Sequence, residues 1–207
     1  MQLTATFDES DALCEELLAL IDLPLADESP SVVASDAACS LSLEHWHGVR
    51  ALLRAGFYPS ALVAHRAQYE CLVLSVWLAY SASENQVSKL TVPLSLSSEP
   101  AAKSLPQVAD MLEAIGRTGP RQAYEALSRF RQTSWNALNS YVHAGIHPLH
   151  RHHRGFPDEV LLGTLRNANG LGVVSCMQAV AISGQLSLQP TLLQVAGSRP
   201  QCVPPPL

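Results

Sequence analysis

Apolar residues recur along most of the chain at the three- and four-residue spacing of an α-helix. Leu13, Leu17, Leu18 and Ile21 mark a first helix, opened by Asp8, Glu9, Ser10 and Asp11 and closed before Pro24. A second is predicted to start after Ser29, Pro30 and Ser31. It carries Val33, Ala37, Leu41, Trp46 and Leu53 as far as Gly56, a C-terminal stop. Tyr58, Pro59 and Ser60 open a third, which runs to about Ser83. Between Cys71 and Ala79 this third helix is apolar on nearly every side, so it is expected to lie at the centre, surrounded by the others.

Residues 84–106 break the periodicity with Pro93, Pro100 and Pro106 and read as a long Pro/Ser-rich surface loop. A short helix is expected from Gln107 to Ile115, stopping at Gly116, and a long one from Arg121 to about His143. Gly145, Pro148 and the run His150 to Gly155 read as a connection. Phe156, Pro157, Asp158 and Glu159 start the last helix, which reaches about Leu186. Residues 199–207, with four prolines, read as a frayed tail. No strand-like alternation, hairpin turn or internal repeat competes. The expected fold is all-α, a single helical-bundle domain over residues 1–198.

Composition supports a buried core: of 207 residues, 47% are hydrophobic and 15% charged. The formal net charge of −5 argues against nucleic-acid binding by bulk charge and leaves room for a local basic patch. The five cysteines are scattered, with no CxxC spacing, as expected of small buried hydrophobes in a reducing compartment. The first ten residues carry acid where a signal peptide carries base. Residues 61–82 hold His65, Arg66, Gln68 and Glu70, and residues 170–188 hold Ser175, Gln178, Ser183 and Gln185. Both stretches therefore read as core helices and not as membrane spans, and the expected location is cytoplasmic.

Candidate chemistry starts from Arg66 and Glu70, which share one face of the helix expected to be most buried. They are read either as a structural ion pair or as part of a reactive site. Arg before Glu is the weaker intrahelical order, so partners on another helix are expected. On the helix from Arg121, Leu127, Phe130, Ala137, Leu138 and Tyr141 form an apolar stripe, with Gln132, Asn136, Asn139 and His143 opposite and Ser140 at the edge. That amide-rich face suits a partly dry cleft or a wet surface. His143, in the last turn, is a candidate proton donor or acceptor, or a C-terminal cap. Arg66 and Glu70 are expected within bonding distance of its imidazole.

Five of the eight histidines fall between positions 143 and 153. His143 and His147 have metal-ligand spacing, but Gly145 and Pro148 interrupt the helix and no acidic residue lies between Glu125 and Asp158, so no metal or other cofactor is expected. His147, Arg151 and Arg154 read as phosphate contacts or as a solvated loop. GxSxG, P-loop, GxGxxG and HExxH motifs are absent. The Gly-containing run 167–172 is expected to allow close helix approach.

These residues resemble the pattern of bacterial HEPN-like helical proteins of uncharacterised function. In that group a long apolar helix carries Arg-x-x-x-Glu, here Arg66 to Glu70 in AHRAQYECLVL. A later helix ends in Ser-x-x-His-x-Gly, here Ser140, His143 and Gly145 in NSYVHAG. The resemblance covers about residues 60–150. It implies a bundle of about five to six helices with a long central one, often a homodimer, whose better-known relatives are metal-independent ribonucleases of toxin and antiphage systems. Those nucleases place an arginine and a polar residue shortly before the histidine on one helix. Here the nearest upstream arginine on that helix is Arg131, and Asn139 stands four before His143. Either Arg66 supplies the cation from the neighbouring helix, or catalysis has been lost.

Two functions follow as expectations. In the first, the protein cleaves RNA without a metal: His143 acts on the ribose 2′-OH, Arg66 stabilises phosphate charge, Glu70 orients Arg66 or His143, Asn139 and Ser140 position the phosphate, and His147, Arg151 and Arg154 hold the substrate. In the second, it is a non-catalytic helical module for a partner protein or a small ligand, with Arg66, Glu70 and His143 fixing helix register.

Overall fold

The apolar periodicities fold as helices, with no β-strand among the described residues, which are 2–93, 95–96, 100 and 104–205 of this computed structural model. Nine α-helices occur among them: α1 (Gln2–Ala19), α2 (Pro30–Arg54), α3 (Tyr58–Tyr80), α4 (Glu84–Thr91), α5 (Val108–Thr118), α6 (Arg121–Val142), α7 (Ile146–Arg154), α8 (Asp158–Ile182) and α9 (Gln189–Gly197). The all-α class holds, whereas the expected five or six helices undercount those observed. α3 is central as expected, packing against α2, α5, α6 and α8.

Three segments correct the sequence-based outline. α4 occupies the start of the expected 84–106 loop because Ser83 and Gln86 form a capping box: Ser83 Oγ accepts from the Gln86 N–H, and Gln86 Oε1 accepts from the Ser83 N–H at 2.9 Å. Val87 then buries one face of this helix. The parts of that expected loop at 94, 97–99 and 101–103 lie outside the described residues, as do positions 206–207 of the expected tail. α7 occupies the expected connection. Pro148 is its third residue, where a missing N–H costs no intrahelical bond.

The third correction concerns residues 199–205, which are docked and not frayed. Asn169 Nδ2 donates to the Cys202 carbonyl at 2.8 Å, Arg166 Nε to that of Gln201 at 2.8 Å, and Arg129 Nη2 to that of Pro205 at 3.1 Å. Helix boundaries also shift: α1 begins at Gln2 and ends at Ala19, α5 passes through Gly116, and α8 stops at Ile182.

Small polar side chains join α2, α3 and α8 inside the core. Ser35 Oγ and Ser75 Oγ each donate to the other's carbonyl, at 2.9 and 2.8 Å. Seven residues on, Ser42 Oγ donates to the Gln68 carbonyl at 2.9 Å and lies 3.0 Å from Ser175 Oγ. Gln178 Nε2 donates to Ser35 Oγ at 3.1 Å, closing the set from α8. Short hydroxyl side chains satisfy buried carbonyls and let the backbones approach.

The five cysteines are free thiols, with Cys71 half-buried and the others buried. Burial pushes the Cys39 thiol up to about 12, so it serves as packing. No helix among the described residues is long and apolar enough to cross a membrane.

The 167–172 run does bring helices together. A Cβ at Gly172 would stand 2.5 Å from the Trp46 ring, which is fully buried and donates through Nε1 to Asn169 Oδ1 at 2.9 Å. Gly172→Ala is expected to destabilise the fold by about 1–3 kcal/mol through overpacking, whereas Gly163→Ala, whose Cβ meets open space inside α8, is expected to stabilise it by about 0.5–1 kcal/mol. Chemical denaturation of both variants measures the difference.

Candidate functional site

Two polar clusters form where α3 meets α6, α7 and α8. The first centres on Arg66. Its Nε donates to Glu70 Oε1 at 2.9 Å and its Nη1 to Asn139 Oδ1 on α6 at 2.6 Å. Its guanidinium also lies 4.5 Å from the ring centre of Trp135, and Arg131 lies 5.8 Å from the same ring. The expected interhelical partner is therefore Asn139. The Arg66 side chain is 14% exposed and that of Glu70 36%, so the cation is mostly enclosed and the carboxylate faces water.

His143 stands outside this cluster. It caps the C-terminus of α6, and its imidazole is exposed, without a hydrogen bond or ion pair to Arg66, Glu70 or any other described residue. Ala144 then takes a φ of +50°, the one positive value for a non-glycine residue among those described. The Gly145 N–H bonds back to the Ser140 carbonyl at 2.7 Å, as in a Schellman closure, and Ser140 Oγ accepts the His147 N–H at 3.1 Å. Ser140 thereby holds the turn that launches α7. His143 follows the end of α6 and His147 lies on α7, and no group of three His, Cys, Asp or Glu among the described residues is placed to hold a metal ion.

The second cluster is a cleft of about 250 Å³ between α3, α6, α7 and α8. Its walls include Leu62, Ala137, Val160, Ser134, Thr164, Asn167, His147 and Arg151, and no carboxylate. Arg151 is half-buried, and its guanidinium makes no hydrogen bond or ion pair with any described residue. Its charge lies close enough to Tyr141 to oppose the upward push that burial gives that phenol. His147 stacks on the Tyr141 ring at 6.4 Å between centroids. Arg154 is exposed at the end of α7, away from the cleft lining.

His65 also borders the cleft, and sequence reasoning missed it as a site residue. It is 2% exposed. Gln68 Nε2 donates to the Ala168 carbonyl at 2.9 Å, which turns Gln68 Oε1 towards His65 Nδ1 at 3.0 Å. An amide oxygen only accepts, so Nδ1 carries the ring proton and Nε2 keeps a lone pair. Nε2 is buried and has no hydrogen-bond partner among the described residues. Burial pushes this imidazole down to about 4, partly opposed by the Gln68 hydrogen bond. The available signal was a histidine and a glutamine three apart on the same face of the most apolar helix.

The molecule is thus an all-α protein with a polar cleft beside its central helix. Its sequence matches, over residues 39–205, the model of a family of unknown function, DUF6988, and the chain belongs to that family. No curated protein and no solved structure matches it.

The buried imidazole makes stability depend on pH. In the unfolded chain this group titrates near 6.5 and in the fold near 4, so between these values the unfolded state binds more protons. Stability is accordingly complete above pH 6.5 and falls as pH drops towards 4, by about 3 kcal/mol for this group. His47, lowered by burial and by Arg50, acts in the same direction. Denaturation across pH 4–7 is expected to show a shallower slope in His65→Leu than in the wild type, with the His47 share retained.

Proposed function

We propose that this protein is a non-catalytic helical module that holds a small anionic molecule in the cleft between α3, α6, α7 and α8. One observation carries the reading: among the described residues, Arg151, whose guanidinium has no partner, and His65, whose buried Nε2 is an unpartnered acceptor, line a single cleft without a carboxylate. An unpaired cation beside polar, half-dry walls favours an anion. A histidine held near 4 is too weak a base to draw a proton from a ribose hydroxyl at neutral pH, which favours binding over acid–base chemistry at this position. Calorimetric titration with propyl phosphate is expected to show one site per chain, with Arg151→Ala weakening it about tenfold. Absence of binding by the wild type at millimolar ligand refutes the proposal.

A second reading is favoured by the Arg66–Asn139 bond, because Asn139 lies one helical turn before His143. In it the HEPN-like resemblance extends to function: two copies pair, Arg66 and Asn139 hold an RNA phosphate beside the exposed imidazole, and Ser140, Arg151 and Arg154 add contacts. Incubation with total RNA is the test. This reading expects metal-independent cleavage that His143→Ala and Arg66→Ala each abolish, whereas the binding module leaves RNA intact in all three proteins.

A further inference from the structure

Resting on the proposal that this cleft binds an anion, we infer that its ligand is a compact phosphorylated alcohol, with the phosphate at Arg151 and His147 and a free hydroxyl donating to His65 Nε2. The His65 imidazole sets the first requirement. Its proton is committed to Gln68 through Nδ1, so Nε2 can only accept. A buried acceptor left without a donor costs more than the bond would contribute in water. A ligand atom that meets it must therefore carry a hydrogen, and an anionic oxygen placed there would face a lone pair.

The remaining polar lining asks for the reverse. Arg151 and His147 come from α7, Ser134 from α6 and Asn167 from α8, so donors reach the cleft from three helices. A planar carboxylate takes a guanidinium fork edge-on, whereas the three terminal oxygens of a phosphate accept from several directions at once. Leu62, Ala137 and Val160 supply apolar wall for a short carbon skeleton. The volume, about 250 Å³, is below the roughly 300–1,000 Å³ of pockets that take drug-sized molecules, which limits the ligand to a few carbons.

The experiment compares sn-glycerol 3-phosphate with propyl phosphate, which has the same chain length and phosphate but no free hydroxyl. Calorimetry on the wild-type protein is expected to give about tenfold tighter binding for glycerol phosphate. In His65→Leu the ratio should fall to about one. Imidazole ¹⁵N spectra of the wild type read the same bond without a variant: the His65 Nε2 resonance is expected to shift with glycerol phosphate and to stay in place with propyl phosphate. Equal affinities, or an Nε2 resonance that neither ligand moves, overturn the hydroxyl assignment while leaving the anion site standing. Failure of both phosphates to bind removes the anion site itself.

Discussion

The side-chain amide of Gln68 is the constraint on which the placement of α3, α8 and the cleft depends. It is fully buried, and each of its two ends has one assigned partner: Nε2 gives a hydrogen to the Ala168 carbonyl, and Oε1 takes one from His65 Nδ1. The backbone carbonyl of the same residue accepts from Ser42 on α2. One residue therefore joins three helices. Rotating α3 by even a fraction of a turn would strand these groups in a dry interior, at a cost of about 1–3 kcal/mol for each unpaired one.

That directional requirement matters because the hydrophobic effect cannot supply it here. Burial of apolar surface is nearly indifferent to direction, and α3 is apolar almost all round between Cys71 and Ala79. A helix of that kind has many rotational settings of similar burial. The reciprocal Ser35–Ser75 bonds, the Ser42–Ser175 contact and the Gln178 bond to Ser35 select one setting and also fix its distance from α2 and α8, since larger side chains would hold the backbones apart. Gly172 does the same where Trp46 meets α8.

How much of this was legible follows from the range of each interaction along the chain. α2, α3, α6 and α8 were readable because their apolar positions repeat over several turns, and Pro30, Pro59 and Pro157 sit at the starts of α2, α3 and α8. α4 was readable in principle from Ser83 and Gln86, a four-residue capping signal that the neighbouring prolines obscured. α7 was hidden because Pro148 looks like a breaker until the turn at Ala144 and Gly145 places it in the first turn of a new helix. The tail is held by Asn169, Arg166 and Arg129, all more than 30 residues away, so local composition spoke only of its prolines. For the candidate site, Arg66, Glu70 and Asn139 were legible as a shared polar surface. The role of His65 was not, because its tautomer is set by a glutamine whose own orientation depends on a carbonyl 100 positions further on.

The two polar clusters on α3 differ in what they leave unspent. Around Arg66 the guanidinium gives one hydrogen bond to a carboxylate and one to an amide oxygen and lies against an indole face, so its charge is matched internally. A phosphate brought to Arg66 would compete there with the Glu70 carboxylate already paired to it. Around the cleft the balance is reversed. Among the described residues Arg151 has no counter-ion and His65 Nε2 has no donor, and the cleft lining is partly apolar. An incoming group there displaces no internal partner, and the interactions it makes are additional to those already holding the fold. Preorganisation of this kind, with the acceptor fixed by Gln68 and α7 fixed by the Ser140 turn, is what distinguishes a place for a ligand from a place that merely holds helices together.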